Sequence, residues 1–381
     1  MVYLIFTAIF FFIGFLFLLY TEKLKTTYSY CFYYFCIVLF WGLSYHYAID
    51  TPEYMDYYNN MVSPITNGID LHLNRFEPGF NVWAALCKSL NDSYLVFQTL
   101  TFAIEMFLIF KGFQKIFHKD DLPLLFPLLF FIYPSILNAL RQSFAIAIFI
   151  FAIPFIKEKK KWHYGSCIII ASLFHQSALF LVLFYFIRFI KPLGNTTTFI
   201  ALFISDLLWL SGEAFSTNIG FVSDILSSGY LSQGERFIKY INEEELESNF
   251  GFAKVIEINF VVIAYTLFCK KQKQYDFLSV TLLLYFTLGL MVGGILTHRI
   301  LYYFTILYYT CFIIAITTIL KNRKVFSYLI IALYMIYFFI FHSAYIKKEY
   351  MLTVNELTQD TPQLLKEVLI SEISTLKGSF S

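Results

Sequence analysis

The stretch "ASLFHQSALF", residues 171–180, raises the question that decides the fold. It is apolar except for a few polar positions, of which His175 is the one that can titrate, and it lies within a longer apolar segment, 162–190. About 20 apolar residues cross a bilayer core. The segment is therefore either one long tilted membrane helix with a histidine inside it, or two short helices that fold back at His175.

The composition predicts a polytopic helical membrane protein. Hydrophobic residues make up 59% and charged residues 14% of the 381 residues, against roughly half and roughly a quarter in soluble domains. The first apolar run has no basic region and no small-residue cleavage site, so we interpret it as a retained span, not a signal peptide. Besides 162–190, the apolar runs are 2–20, 30–48, 93–112, 122–140, 139–156, 197–211, 252–269, 276–296, 300–319 and 325–342.

Basic residues distinguish the two interpretations of 162–190, because short cytoplasmic loops carry an excess of Lys and Arg. All six basic connectors lie on one side only if 162–190 enters the membrane and returns. We therefore predict about twelve spans, both termini outside and His175 at the outer tip of a hairpin. The connectors contain Lys23 and Lys25; Lys111, Lys115 and Lys119; Lys157, Lys159, Lys160 and Lys161; Arg188 and Lys191; Lys270, Lys271 and Lys273; and Lys321, Arg323 and Lys324.

The chain is predicted to form one transmembrane domain, residues 1–342, followed by a tail, residues 343–381. Two longer hydrophilic loops, 49–92 and 212–251, fall on the outside in this topology. No internal repeat, low-complexity linker or soluble domain is evident in the sequence.

Each loop, and the tail, contains a pattern typical of a short amphipathic helix. In the first loop Pro78 begins a helical pattern that ends near Asn91, since proline is favoured in the first helical turn. In the second loop the pattern lies in 234–249, and in the tail it follows Pro362.

Charge and cysteine usage exclude several classes of protein. The net charge is +2 and no basic block is present, so no nucleic-acid partner is predicted. The six cysteines show no metal-ligand spacing, so we predict neither a metal site nor a cofactor. They are Cys31, Cys36, Cys87, Cys167, Cys269 and Cys311.

Five ionisable side chains converge on the predicted outer face. Arg141 and Arg299 lie just inside the outer ends of two spans, Asp50 ends the second span, and Glu77 precedes the helix in the loop 49–92. The predicted topology puts all four on the face that carries His175. Charged groups within spans cost roughly 2.5–3.5 kcal/mol on insertion scales and are therefore functional candidates. We interpret their convergence as a functional site.

Each of these residues also has a structural interpretation. Arg141 and Arg299 are placed where arginines snorkel to phospholipid headgroups. Glu77 precedes a helix, whose dipole it would favour. Asp50 stands where the second span stops, and His175 could donate a hydrogen bond to a carbonyl at the hairpin tip.

Glu105, in contrast, lies near the middle of the third span. Three interpretations stay open: it pairs with a buried polar group, it is protonated, or it marks an ion path.

The outer-face residues suit sugar transfer from a lipid-linked pyrophosphate. Arginines bind phosphate bidentately and stay charged when desolvated, and a departing pyrophosphate develops negative charge. Carboxylates and histidine suit removal of a proton from an attacking hydroxyl. The sequence contains no catalytic triad, Walker loop or HExxH motif.

At these residues the sequence resembles the EpsG family of polysaccharide polymerases, which are Wzy-like. The resemblance extends from about residue 45 to 305. The matching residues are Asp50, Tyr54 and Tyr58; Arg75-Phe76-Glu77-Pro78-Gly79-Phe80; Arg141-Gln142 with Ala145; Phe174-His175 with Ser177-Ala178; and Arg299 with Tyr302 and Tyr303.

The resemblance implies an all-α, GT-C-like glycosyltransferase of the cytoplasmic (inner) membrane that spans it many times. Such an enzyme transfers a growing glycan from one undecaprenyl pyrophosphate carrier to a repeat unit on another. The transfer takes place at the outer face without a nucleotide sugar. Its partners would be these lipid-linked oligosaccharides, membrane lipids and, as one candidate, a chain-length regulator protein.

The chemistry of these side chains and the matching motifs suggest roles for single residues. Glu77 or Asp50 would be the base or the group that orients the acceptor, and His175 would assist the leaving pyrophosphate, so these three would be catalytic. Arg141, Arg299 and His175 would bind pyrophosphate. The candidates for contacts with the glycan or acceptor are Tyr54, Tyr58, Arg75, Gln142, Tyr302 and Tyr303.

Two other functions compete with a polymerase. A flippase for a lipid-linked glycan would also need a basic outward cavity, and Glu105 favours it, but matching halves are not seen. A ligase that transfers the finished glycan would share the arginines and the histidine.

Overall fold

The computed structural model describes residues 50–67, 76–117, 139–211, 251–269, 276–291 and 295–319, with single positions between 31 and 42 and at 122 and 125. Over these residues the secondary structure is helical and contains no strand. A π-helical segment, Tyr57–Met61, continues α1, a 3-10 turn follows at Ile65–Asn67, and a 3-10 helix, Gln176–Phe189, follows α5. The α-helices are α1 (Thr51–Asp56), α2 (Pro78–Leu90), α3 (Tyr94–Ile116), α4 (Leu140–Lys157), α5 (Lys161–Phe174), α6 (Asn195–Leu210), α7 (Phe252–Phe268), α8 (Asp276–Met291) and α9 (Ile295–Ile319).

Three of the described helices are long and apolar enough to cross a membrane: α3, α4 and the Arg299–Ile316 part of α9. Shorter apolar helices are Gln176–Phe189, α6 and the Asp276–Leu290 part of α8. The predicted all-helical membrane protein agrees with this architecture. The total of about twelve spans stays a prediction, because several predicted spans fall partly or wholly outside the described residues. Those spans are 2–20, 30–48, 122–140, 276–296 and 325–342.

The hairpin at 162–190 is confirmed. α5 ends at His175, whose backbone is extended with φ −154° and ψ 117°. The following 3-10 helix runs back along α5, since the Tyr164 hydroxyl donates to the Leu181 carbonyl at 2.5 Å. The rings of Tyr164 and Tyr185 also meet, with centroids 5.6 Å apart. Tyr164 lies near the start of α5 and Tyr185 near the end of the next helix, so the two helices are antiparallel.

The 3-10 geometry explains how so short a return helix covers a membrane-sized distance. The segment Gln176–Phe189 has 14 residues. A 3-10 helix rises about 2.0 Å per residue, so the segment is about 28 Å long, whereas an α-helix with the same number of residues would be about 21 Å long. The hydrocarbon core is about 30 Å thick.

Helix α4 packs closely against α3. A side chain on Gly112 of α3 would place its Cβ 2.6 Å from the backbone oxygen of Ile150, so the small residue permits this close approach. In the same interface Ser143 is 2.8 Å from a carboxylate oxygen of Glu105, which is fully buried. Of the three interpretations of Glu105, pairing with a buried polar group is confirmed.

The hydrophilic loop 49–92 contains the predicted amphipathic helix. It is α2, which begins at Pro78 and is followed by Asn91, as the sequence pattern predicts. Phe80 and Cys87 are fully buried on one side of this helix, whereas Leu90, its last residue, is exposed. The two other predicted amphipathic helices lie outside the described residues.

Candidate functional site

Residues far apart in the sequence meet at the ends of the helices around the His175 turn. The contacts below connect α1, the start of α2, the start of α4, the hairpin turn and α9. We call the group they form the polar cluster. Its members are Asp50, Tyr54, Glu77, Arg141, His175 and Arg299.

Arg141 is the most heavily bonded member of the polar cluster. One guanidinium nitrogen, Nη1, forms an ion pair with Oε2 of Glu77. Its Nε lies 3.4 Å from the hydroxyl of Tyr54, and the guanidinium carbon stands 4.4 Å from the centre of the Phe76 ring. The first turn of α4 thus presents a mostly buried arginine whose charge a carboxylate already balances. Snorkelling to a headgroup does not describe this arrangement.

Glu77 connects three parts of the molecule. It occupies the residue before α2 with an extended backbone, and Pro78 fixes the start of the helix behind it. Its Oε2 accepts from Arg141, while its Oε1 accepts from the backbone N–H of Gln176 at 3.4 Å. The side chain is 5% exposed. Glu77 therefore bonds to the hairpin turn directly beside His175.

His175 is held between an arginine and a hydroxyl. Arg299 Nη1 lies 3.3 Å from His175 Nε2, and His175 Nδ1 lies 2.6 Å from Ser177 Oγ. A guanidinium only donates, so Nε2 must accept, and Nδ1 carries the ring proton. Ser177 Oγ is in turn 3.1 Å from the hydroxyl of Tyr303. The hydrogen bonds thus define a neutral imidazole of one tautomer, whose ring contacts are side chains and not a carbonyl.

The surroundings of His175 also favour its neutral form. His175 lies in the turn between two helices and is 5% exposed. Burial, and then the positive charges of Arg141 and Arg299, hold the pKa of His175 well below its ordinary value. The ring is therefore uncharged at neutral pH, and its Nε2 lone pair accepts the hydrogen bond from Arg299.

Asp50 lies at the edge of the polar cluster and is half-buried. Burial raises the pKa of Tyr54, the charge of Arg141 lowers it, and the charge of Asp50 raises it. Asp50 and Arg299 both act electrostatically on Tyr302. Asp50, at the start of α1, thus lies within electrostatic range of both Tyr54 and Tyr302.

Gln142 aligns two helices of the site. Its side-chain amide donates to the backbone carbonyl of Arg299 at 2.6 Å, and it is almost fully buried. The amide thus fixes the start of α4 against α9 and does not face outward as a glycan contact would.

Two tyrosines predicted to contact the glycan are placed elsewhere by the structure. Tyr58 is fully buried, its hydroxyl donates to the Asn91 carbonyl at 2.8 Å, and its ring stacks on Phe97. Tyr303 is also fully buried and lies behind Ser177. Tyr54 belongs to the polar cluster and Tyr302 lies beside it, while Arg75 lies outside the described residues.

Ser177 and Phe76 have contacts in the site that the sequence pattern does not predict. Ser177 bonds the ring of His175, and Phe76 forms the surface on which the Arg141 guanidinium rests. Both lie within the motifs "FHQSA" and "RFEPGF", one or two residues from an ionisable side chain. That proximity is the signal that would have found them. Within the described ranges, no group of three or more His, Cys, Asp or Glu side chains could hold a metal ion.

Apolar helices with a buried, charged cluster at their ends define an integral membrane protein. The EpsG family model matches residues 27–353, which is most of the chain, and the chain therefore belongs to the EpsG family. This family is associated with polysaccharide polymerase-like proteins. Among curated proteins and among solved structures, none matches the chain. The protein is thus a membrane protein of polysaccharide biosynthesis.

Proposed function

We propose that the protein polymerises lipid-linked oligosaccharide repeat units into a surface polysaccharide. The donor is a glycan on undecaprenyl pyrophosphate, and the acceptor is a repeat unit on a second carrier. Transfer takes place at the outer face of the cytoplasmic membrane. Membership of the EpsG family supports the class of reaction.

One observation carries the proposal: the convergence of Arg141, Arg299, His175 and two carboxylates from separate elements. A buried basic site suits a pyrophosphate leaving group, because preorganised donors stabilise charge that develops during the reaction. The carboxylates beside it suit the removal of the proton from an attacking hydroxyl.

The reaction balances without a further reagent. The acceptor hydroxyl oxygen bonds to the anomeric carbon of the donor sugar, and the bond from that carbon to the pyrophosphate oxygen breaks. The pyrophosphate leaves with the electron pair, in the basic part of the polar cluster. The hydroxyl proton passes to a base of the protein.

The structure favours Asp50 over Glu77 as that base or as the group that orients the acceptor. Glu77 is buried and ion-paired to Arg141, while Asp50 is half-buried and therefore more accessible. His175, whose Nε2 accepts from Arg299, would assist the leaving pyrophosphate by orienting that guanidinium.

The hairpin supports the outer-face location of the site. Its two ends, before α5 and after the 3-10 helix, lie together because the helices are antiparallel, and both carry basic residues. Cysteines introduced at Glu158 and Leu193 should therefore both be labelled from the cytoplasmic side. Labelling from opposite sides contradicts the location.

Glycan analysis of a deletion strain tests the function. Chains of a single repeat unit indicate a lost polymerase and are the expected result. Unattached polymer indicates a ligase instead, and lost export indicates a flippase. Glu105, the residue that favoured a flippase, contacts Ser143 in the interface of α3 and α4.

A further inference from the structure

The two arginines of the polar cluster differ in how their charges are balanced. Arg141 is in an ion pair with Glu77, near the Tyr54 hydroxyl and over the Phe76 ring. Its positive charge is matched by a buried negative charge in direct contact. A doubly charged pyrophosphate therefore gains little net attraction from the Arg141–Glu77 pair taken together.

Arg299 has a different environment. It is half-buried, and its side-chain contact among the described residues is the neutral His175 ring, with no carboxylate in ion-pair range. The side-chain amide of Gln142 donates to the backbone carbonyl of Arg299 at 2.6 Å, and this hydrogen bond fixes the position from which the Arg299 side chain extends. Within the described part of the chain, its positive charge is therefore held in place without a carboxylate in contact.

The ion pair of Arg141 and Glu77 also connects parts of the fold. Its second oxygen accepts the N–H of Gln176, so the pair joins α4 and the first external loop to the hairpin turn. Gly79 brings the same part of α2 into contact with the end of α5, where an added Cβ would lie 2.7 Å from Leu173 Cβ. The pair thus lies where it can hold the His175 turn in position.

We propose that Arg299 is the arginine that binds the donor pyrophosphate and that Arg141 is a positioning residue. Arg141 and Glu77 hold the first external loop on the His175 turn, and neither supplies net charge to the donor. This inference rests on the proposed function and divides the roles of two residues that the sequence treats alike.

The test uses the purified full-length protein, with inorganic pyrophosphate as a competitive inhibitor of polymerisation. Arg299→Lys retains a charge but loses the planar fork, and it should weaken inhibition by about tenfold and raise the donor KM. The double variant Arg141→Gln/Glu77→Gln should keep the inhibition constant within about twofold of wild type, because the net charge is unchanged. It should lose kcat instead.

The single variant Arg141→Gln provides the sharper comparison. It leaves the buried carboxylate of Glu77 unpaired, so it should be less active and bind pyrophosphate more weakly than the double variant. Arg141→Lys, which keeps the ion pair, should leave inhibition unchanged and covers the case in which the double variant does not fold. Arg188→Gln, at the far end of the hairpin, is the matched control and should behave as wild type.

Two outcomes separate this inference from the proposed function. If the double variant and Arg141→Lys lose inhibition as strongly as Arg299→Lys, Arg141 contacts the pyrophosphate, and the division of roles is wrong. If wild-type polymerisation is not inhibited, or no substitution at either arginine changes inhibition, the polar cluster is not the donor site.

Discussion

Replacing Gly79 by alanine tests whether packing of α2 on the hairpin positions the site. The added Cβ would lie 2.7 Å from Leu173 Cβ and 2.8 Å from the Leu173 carbonyl oxygen. Carbon atoms in contact are ordinarily about 3.5–4.0 Å apart. Since backbone atoms of α5 are involved, the start of α2 must move away by about 1 Å.

That movement reaches the polar cluster through Glu77, two residues before Gly79. The hydrogen bond from Gln176 N–H to Glu77 is already 3.4 Å long, so a further 1 Å or so breaks it. Misplacement by about 1 Å can reduce a rate by about 100-fold. We therefore expect kcat to fall by about 10- to 100-fold and stability to fall by about 1–3 kcal/mol, as in other overpacked sites.

The assay is polymerisation by purified protein at saturating donor, with the unfolding temperature in detergent measured alongside. Gly165→Ala is the control, because Gly165 also lies in the hairpin, in α5, and an added Cβ there would have no neighbouring atom within 4 Å. Alanine there should leave activity unchanged and stabilise the helix by about 0.5–1 kcal/mol. Wild-type activity in Gly79→Ala, beside a normal control, would refute positioning by this contact.

Three other outcomes follow from local geometry. Lys159, just after the end of α4, has φ 61°, a left-handed conformation that glycine adopts more easily than lysine. Lys159→Gly should therefore raise the free energy of unfolding by about 0.5–1 kcal/mol, measured by thermal unfolding, and Lys160→Gly should not. Ser177→Ala leaves the Nδ1 proton of His175 unpaired, at a cost of about 1–3 kcal/mol. Polymerisation activity should therefore fall about tenfold, which is a larger loss than Tyr303→Phe should cause. Equal activity of Ser177→Ala and wild type would contradict this. The pKa of His175 is lower in the folded protein than in the unfolded chain, so as the pH falls the unfolded chain binds the proton first. The free energy of unfolding should therefore be highest above about pH 6.5 and should decrease below that pH. A His175→Gln variant with the same pH dependence would show that another group is responsible.

Charge and periodicity predicted the parts of the fold that depend on a single segment. Basic residues on both sides of 162–190 predicted the hairpin, and Pro78 predicted the start of α2, because these signals act locally. Topology alone also predicted that His175, Arg141 and Arg299 would share one face. The structure brings those three together with Glu77.

Which side chains touch within that face could not be predicted. Tyr54 and Tyr58 are four residues apart, a spacing that puts two side chains on one face of an α-helix. The π-helical segment Tyr57–Met61 changes the direction in which Tyr58 points relative to Tyr54, so Tyr58 packs inward. Tyr302 and Tyr303 lie on a helix that is apolar on all sides, so its sequence does not show which tyrosine faces the cluster.

The pairing of the charges is likewise a tertiary property. The sequence places Glu77 and Arg141 on one face, but it holds no signal that they form the ion pair while Arg299 contacts His175. That difference depends on how α2, α4 and α9 pack around the hairpin turn.

Polymerisation by the purified protein tests the central claim most directly. The protein in lipid nanodiscs is given undecaprenyl pyrophosphate-linked repeat units and no nucleotide sugar, and the products are separated by size. A ladder of chains differing by one repeat unit, present with wild type and strongly reduced with Arg299→Lys, is the predicted result. Single repeat units alone, from an intact wild-type protein, would contradict the account.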